Sequence, residues 1–314
     1  MTVVKAPAKI NLQLSVGAKG EDGYHDLATV FQAVSLYDEI KVLPGESGSG
    51  ITLRFTGENP HIANLPTNNK NLAYKAAQLF AQRKKVSLDL VIEIKKQIPI
   101  AGGMAGGSAN AAGVLVALDS LYETRMSKDD LLALARQLGS DVPFSLTGGT
   151  AVGTGRGDRL TPALARGTFH WVLAYSSQGL STPAVYEECD RLRQGFAQRQ
   201  PRVSEELMHA LSSGDPSALG KSLVNDLQAA ACSLRPALKL ALSAGMDSGA
   251  IGALVSGSGP TVAFLAKSDE AAIDLAVDKI EDQIRRQKTR LSRKHREKLS
   301  KAFMIQIEFW KKSL

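Results

Sequence analysis

The chain has 314 residues, of which 44% are hydrophobic and 22% charged, a balance typical of a soluble globular protein with a sizeable core. Aromatic residues make up only 5%, so base-stacking surfaces for nucleic acid are not expected to be its main feature. The sequence has no apolar leader and no uncharged apolar stretch of about eighteen residues, which predicts a cytoplasmic protein without membrane spans.

The formal net charge of +7 is concentrated near the C-terminus. Residues 285–312 contain eleven Lys or Arg and two Glu, which leaves the rest of the chain slightly negative. This basic segment predicts either a solvated helix or a weak, salt-dependent contact with RNA. Cys189 and Cys232 match neither a metal-binding nor a redox spacing, so we expect two free thiols.

The first half of the chain alternates strand and helix patterns. Apolar and polar residues alternate over 3–16, which predicts a half-buried strand with Lys9 and Asn11 on its polar face. Ser127 and Asp130 form a capping box at the start of a helix. Further strands are predicted at 31–42, 51–55 and 88–94, and helices at 71–83, 111–121 and 131–138.

The second half has the same mixture of elements. Its patterns predict strands at 168–174, 252–256 and 262–265, and helices at 183–193, 219–230 and 236–244. Strands and helices are interleaved without a regular βαβ repeat, which favours an α+β fold in two lobes with a boundary near 158–168.

A glycine-rich loop lies between the strand at 88–94 and the helix at 111–121. It consists of Pro99, Ile100, Ala101, Gly102, Gly103, Met104, Ala105, Gly106, Gly107, Ser108 and Ala109. Its four glycines can take positive φ, which lets backbone N–H groups converge on one anion, and the helix dipole adds positive potential. The Ser108 hydroxyl is suited to phosphate or Mg²⁺, so the segment is predicted to bind the triphosphate of ATP.

Two common nucleotide loops are excluded here. A Walker A loop would need Lys where Ser108 stands, and no register gives a dinucleotide-binding fingerprint. The structural alternative is a glycine-rich turn that only packs a helix onto a sheet. A second tight turn at Gly257, Ser258 and Gly259 is predicted to brace the first.

Three segments together resemble the GHMP kinase superfamily: Pro-Ala-Lys-Ile-Asn-Leu at 7–12, the loop at 99–109 and Gly-Ser-Gly-Pro at 257–260. Segments at 22–27, 139–144 and 180–186 resemble one branch of that family more closely. The resemblance covers residues 2–275 and implies an α+β fold with an active-site cleft between two lobes, 1–160 and 161–275. Residues 276–314 then form an atypical basic tail.

The resemblance also implies a reaction. It is the phosphorylation of the 2-hydroxyl of 4-diphosphocytidyl-2-C-methyl-D-erythritol by ATP with Mg²⁺, a step of non-mevalonate isoprenoid synthesis. No Asp/Glu/His cluster with metal-ligand spacing predicts a dedicated metal site. Two alternatives stay open: a GHMP kinase acting on homoserine or mevalonate, and a non-catalytic RNA- or ribosome-associated protein acting through the tail.

The family's functional residues map onto matching positions of this sequence. The resemblance implies that Asp141 is the catalytic base and Lys9 the second catalytic residue. It assigns substrate contacts to Asn11, Tyr24, His25, Thr182 and Tyr186. The residue patterns alone favour a capping or turn aspartate for Asp141 and a solvated surface charge for Lys9.

The C-terminal segment departs from the GHMP pattern. Residues 268–301 predict a long amphipathic helix, and 269–301 resemble part of a ribosome-hibernation promoting factor. Alternation over 302–310 predicts a strand that replaces the family's last strand.

Overall fold

The computed structural model describes residues 1–59, 61–176, 178–196, 200–275 and 303–309. By its internal packing the chain forms two compact units. The first unit comprises Met1–Lys9, Leu36–Ile100 and Ala105–Gly149, and the second unit comprises Ile10–Ser35, Ala101–Met104 and everything after Gly149. Because these units interleave along the chain, they do not test the continuous division into 1–160, 161–275 and 276–314, which stays a prediction.

Strands and helices alternate along the chain, which confirms the predicted α+β class. The strands are β1 Thr2–Lys19, β2 His25–Pro44, β3 Ile51–Thr56, β4 Leu90–Lys95, β5 Thr150–Gly155, β6 Arg159–Pro162, β7 His170–Ser176, β8 Val224–Asn225, β9 Gly252–Val255, β10 Val262–Ala266 and β11 Phe303–Phe309. The helices are α1 Leu72–Lys84, α2 Gly106–Leu121, α3 Lys128–Leu138, α4 Val142–Thr147, α5 Thr182–Leu192, α6 Glu205–Ser213, α7 Pro216–Ser222, α8 Gln228–Leu234, α9 Ala237–Asp247 and α10 Asp269–Asp274, with a short 3-10 helix at Ile62–Asn64.

The first unit packs helices against part of a sheet. Strand β3 is parallel to β4, and β4 is antiparallel to the second half of β2. Helix α2 packs against α1 and α4, so its small residues lie among neighbouring helices. The N-cap of the predicted capping box is confirmed, since the Ser127 hydroxyl accepts a hydrogen bond from the Asp130 N–H at the start of α3. The Asp130 carboxylate accepts from the Ser127 hydroxyl.

The second unit contains the first half of β2 with its antiparallel partner β5, which in turn pairs with β6. It also contains a four-stranded sheet in the order β11-β7-β10-β9, with antiparallel neighbours throughout. A core of aliphatic residues and Phe264 fills the space between these strands and helices α5, α8 and α9. Burial of this apolar surface is the main stabilising term in such a unit.

The prediction that β1 is half-buried is wrong. Its apolar residues from Ala8 to Val16 are buried, and so are three polar ones between them: Lys9 is 5% exposed, Asn11 2% and Gln13 5%. Alternating polarity indicates two distinct faces but does not show that one of them meets solvent. Polar side chains placed in this way need partners, because an unpaired buried polar group is costly.

Strands β5 and β6 and helix α6 were not predicted. Strand β5 reads Thr-Ala-Val-Gly-Thr-Gly, and its glycines hide the strand pattern. A Cβ at Gly153 would lie 2.8 Å from Cε2 of Phe31 on the neighbouring strand, so the ring occupies the place of a side chain. The strand therefore depends on its partner rather than on its own propensity.

The predicted helix at 219–230 is also wrong, because the chain there forms α7, the short strand β8 and α8. Strand β8 pairs in parallel with β1, with Asn225 opposite Leu14. The Asn225 amide donates to the Val255 carbonyl at 2.6 Å and to the Gly257 carbonyl at 2.8 Å, and its oxygen accepts from the Leu227 N–H. These tertiary hydrogen bonds override the local helical pattern.

The C-terminal strand is confirmed within the described residues. Strand β11 pairs antiparallel with β7 along its whole length, from Phe303 opposite Ser176 to Phe309 opposite His170. Of the predicted helix at 268–301, the structure describes α10, which begins after the Ser268 cap. The remainder of that helix and the basic residues of 285–312 lie outside the described residues. Within the described ranges, no helix has the length and apolar character needed to span a membrane.

We expect Asn225→Ala to destabilise the second unit. The substitution leaves two buried carbonyl oxygens without their donor, so the free energy of unfolding should fall by about 2–4 kcal/mol. Urea unfolding followed by circular dichroism measures this change. The neighbouring exposed residue provides the control, Val224→Ala, and an equal loss in both variants would contradict the assignment.

Candidate active site

The glycine-rich loop adopts its shape differently from the prediction. Of its four glycines, only Gly103 has positive φ, at 77°, whereas Ala101 and Ala105 have φ of 54° and 58°. Left-handed backbone is unfavourable for alanine by about 1–2 kcal/mol. The turns of the loop are therefore imposed by its surroundings, not by the conformational freedom of all four glycines.

Residues 101–104 lie against the second glycine turn within the second unit. A Cβ at Gly103 would lie 2.5 Å from the Ser256 carbonyl oxygen and 2.9 Å from that of Gly259. The Thr261 N–H donates to the Gly102 carbonyl at 3.3 Å, and the Ser256 hydroxyl to the Gly103 carbonyl at 3.4 Å. The turn at 256–261 thus braces this part of the loop by direct backbone contact.

Helix α2 begins in the first unit at the other end of the loop. It starts at Gly106, five residues before the predicted start, so Ser108 lies in its first turn and is 9% exposed. Its N-cap, Ala105, has no side-chain acceptor, and therefore does not cap the first-turn N–H groups. Such a helix start is suited to binding a phosphate group.

Lys9 and Asp141 form an ion pair within the first unit. Their Nζ and Oδ2 atoms are 3.8 Å apart, and the side chains are 7% and 32% exposed. Asp141 occupies the N-cap position of α4, yet its side chain makes no capping hydrogen bond. Helix α4 packs against α2, whose first turn follows the loop. The carboxylate therefore does not cap its own helix and instead faces a lysine.

His25 lies in a polar cluster of the second unit. Its Nε2 atom is 2.8 Å from Oδ1 of Asp190, and its ring centroid is 5.0 Å from that of Tyr186, at an interplanar angle of 35°. His25 is only 8% exposed, so its ring is held from two sides. Thr182, Tyr186 and Asp190 are spaced by four residues on α5 and so lie along one face of that helix.

Tyr24 projects from the turn before β2 and is 57% exposed. The Arg156 guanidinium lies over its ring, with Cζ 3.8 Å from the ring centroid, and Arg156 also pairs with Asp22 at 2.7 Å. The Tyr24 N–H and, after it, the Arg156 side chain lower the pKa of Asp22. One face of Tyr24 is thus covered by a cation. The substrate contacts assigned to Tyr24 and Tyr186 stay predictions.

Thr182 and Asn11 each have a defined partner in the second unit. The Thr182 hydroxyl is 2.9 Å from that of Ser258, which joins α5 to the glycine turn. The buried Asn11 amide donates to the Thr29 hydroxyl at 2.8 Å. Both side chains are therefore fixed in orientation.

Arg156 and Asp190 were not predicted from the sequence. Arg156 is separated from Tyr24 by a long stretch of chain, so no local pattern connects them. Asp190 carries a weak signal, because it follows Tyr186 by four residues on a predicted helix and so shares its face. A polar residue at that spacing can be found by extending the Thr182–Tyr186 pattern by one turn.

Known proteins are similar to this chain in both sequence and fold. Residues 71–149 match the GHMP kinases N terminal domain, and residues 207–283 match the GHMP kinases C terminal domain. A curated relative from Mycolicibacterium smegmatis, named 4-diphosphocytidyl-2-C-methyl-D-erythritol kinase, is 53% identical over 87% of this chain and 84% of its own length. The chain belongs to the GHMP kinase family.

Solved structures agree with this assignment. The crystal structure of a 4-(cytidine 5'-diphospho)-2C-methyl-D-erythritol kinase superposes with a TM-score of 0.74 and 32% identity, and covers 98% of each chain. A homoserine kinase from Cytophaga hutchinsonii superposes with a TM-score of 0.70 but only 17% identity, over 98% of this chain and 94% of its own. The second comparison shows the GHMP kinase fold alone.

Alanine substitutions in the glycine-rich loop of this GHMP kinase should lower its stability at one position and not at another. We expect Gly103→Ala to lower the free energy of unfolding by at least about 2 kcal/mol, because it combines positive φ with a backbone clash. Gly107→Ala is the matched control: its Cβ would meet only Leu72 Cδ1, at 3.8 Å, so its effect should stay below about 1 kcal/mol. Urea unfolding without nucleotide measures both, and equal losses would contradict the bracing contact.

Proposed function

We propose that this GHMP kinase transfers the γ-phosphoryl group of ATP to the 2-hydroxyl of 4-diphosphocytidyl-2-C-methyl-D-erythritol. The observation that carries the chemistry is the ion pair between Lys9 and Asp141, whose carboxylate is not used to cap its own helix. The relatives that are 53% and 32% identical, both named for this substrate, support its identity.

The roles of the two residues follow from the chemistry of the transfer. Asp141 takes the proton of the 2-hydroxyl while the oxygen of that hydroxyl attacks the γ-phosphorus of ATP. The bond between the γ-phosphorus and the bridging oxygen breaks, and ADP leaves. Lys9 places a positive charge beside Asp141, where it stabilises the negative charge that develops on the attacking oxygen. Both groups are already positioned before the reaction begins, and such preorganised charges account for most of the rate enhancement in many enzymes.

The phosphates of ATP are assigned to the loop Pro99–Ala109. The first-turn N–H groups of α2 and the Ser108 hydroxyl supply donors, and no side chain at Ala105 competes for them. When bound, Mg²⁺ neutralises charge on the phosphates of the nucleotide. Within the described ranges no three His, Cys, Asp or Glu side chains group as metal ligands, so Ser108 and the phosphates would hold the ion.

The cytidine end is assigned to the cluster around His25. The contact of the His25 and Tyr186 rings provides an aromatic surface, and Asp190 fixes the orientation of the imidazole. Tyr24 adds an exposed ring whose other face is covered by Arg156. Asn11 and Thr182 are assigned to the erythritol and diphosphate parts of the substrate. Turnover of homoserine or mevalonate has no comparable support, because the kinases named for these alcohols resemble this chain in fold alone, at 17% identity.

We expect the substrate assignment to be decided by phosphorus NMR. ATP with 4-diphosphocytidyl-2-C-methyl-D-erythritol should give ADP and a new phosphomonoester signal, whereas homoserine and mevalonate should give none. A phosphorylated homoserine or mevalonate at similar kcat/KM would overturn the assignment, and no product with any of the three alcohols would overturn the proposed kinase activity.

We expect Asp141→Asn to lower kcat by about 10²- to 10⁴-fold, because the amide keeps the shape of the side chain but does not accept the proton. The KM for ATP should change little, since Asp141 is not assigned to the nucleotide. Steady-state kinetics measure both values. Asp129→Asn, an exposed position in the first turn of α3, is the control and should retain wild-type turnover. Retained turnover in Asp141→Asn would remove the base from the mechanism.

A further inference from the structure

A second charged cluster lies in the first unit, apart from the groups assigned to catalysis. It consists of Asp38 on β2, Lys96 just after β4, and Asn110 on α2. These side chains are deeply buried, with exposures of 0%, 6% and 4%. Lys and Asp are almost never buried to this extent unless they are paired, so the cluster requires an explanation.

Asp38 is the centre of the hydrogen bonding. Its Oδ2 atom accepts from Lys96 Nζ, and from Asn110 Nδ2 at 2.6 Å. Its Oδ1 atom accepts from the backbone N–H groups of Gln97 and Ile98, at 2.8 and 2.9 Å. Lys96 also donates to the Asn110 oxygen at 3.1 Å. Each of the three side chains therefore contacts the other two.

The cluster joins the two ends of the glycine-rich loop at 99–109. Lys96, Gln97 and Ile98 directly precede Pro99, and Asn110 directly follows Ala109. Asp38 thus binds both the segment 96–98 that precedes the loop and Asn110 on the helix that follows it. The ends are in close contact, since a Cβ at Gly106 would lie 3.1 Å from Lys96 Nζ and 3.0 Å from Ile98 Cγ2.

This arrangement fixes the start of α2, where the phosphate-binding groups lie. Gly106 and Ser108 stand in the first turn of that helix, and Asn110 lies one turn beyond Gly106 on the same side. Burial lowers the pKa of Lys96, while the charge of Asp38 and its hydrogen bond oppose this shift. The charge of Asp38 thus favours the ionised form of Lys96.

We propose that Asp38, Lys96 and Asn110 are positioning residues for nucleotide binding, which hold the first-turn amides of α2 and the Ser108 hydroxyl in the orientation that the phosphates of ATP require. This inference rests on the proposed function only through ATP as the phosphoryl donor. The alternative is a buried ion pair that stabilises the first unit and leaves the loop unaffected.

Two variants of the full chain separate these roles. Lys96→Met keeps most of the stem but removes the charge and the donors. The double variant Asp38→Leu, Lys96→Met replaces the pair by apolar side chains and so avoids an unpaired buried charge. Because it also leaves the Gln97 and Ile98 N–H groups without their acceptor, its folding is verified by circular dichroism. Leu53→Ala on β3, a buried residue of the same unit, is the control for lost stability. Lys41→Met, from an exposed ion pair with Glu93, is the control for lost charge.

The affinity for ATP is measured by titration calorimetry, alongside the KM for ATP and for the alcohol. We expect both Lys96 variants to bind ATP about 10- to 100-fold more weakly, with the KM for the alcohol nearly unchanged, because small displacements of binding groups have effects of this size. The two controls should keep wild-type affinity. Gly107→Ala is not used as a control, because it lies in the binding loop.

The outcomes are distinct. A folded double variant with wild-type affinity for ATP and wild-type kcat overturns the inference and leaves a stabilising role. Weaker binding in Leu53→Ala to the same extent also overturns it, because lost stability would then explain the effect. A wild-type enzyme that binds ATP but does not phosphorylate the alcohol overturns the proposed substrate, and the titrations still decide the inference. Absence of ATP binding in the wild type overturns both.

Discussion

The carbonyl oxygens of Ser256 and Gly259 lie against the backbone of Gly103 and constrain the conformation of the glycine-rich loop at 99–109. At 2.5 and 2.9 Å from the position of a Cβ, these oxygens leave no space for a side chain. The glycine turn at 256–261 that supplies these oxygens is itself fixed by two hydrogen bonds. One runs from the Asn225 amide to the Gly257 carbonyl, and the other joins the Thr182 and Ser258 hydroxyls. A loop with two left-handed alanines keeps its shape because such contacts determine it from outside.

Two lysine–aspartate pairs of this protein differ in the exposure of their carboxylates. Lys9 faces an aspartate that remains partly exposed, so the pair can meet a substrate. Lys96 faces an aspartate with no exposed surface, whose four hydrogen bonds are all made within the protein. The difference in exposure of the two carboxylates is the reason that we propose chemistry for the first pair and positioning for the second.

Much of the fold could be predicted from the sequence, because the elements with regular patterns carry their own signals. The alternation at 302–310 and the Ser127 cap were sufficient for a strand and a helix start. The predictions failed where another element decides the conformation. Gly153 lies in a strand because Phe31 covers it, and Asn225 breaks a helical pattern because its amide binds two distant carbonyls. The candidate site has the same limit: motifs pointed to Lys9 and Asp141, which form an ion pair, whereas no local pattern pointed to Arg156 beside Tyr24.

Strand β11 joins the sheet through β7 along seven residues. Main-chain hydrogen bonds make this connection, and they require an extended backbone rather than particular side chains. A sheet edge completed in this way accepts many sequences, provided that their polarity alternates. The outermost strand of this sheet can thus tolerate changes of side chain that keep its backbone extended.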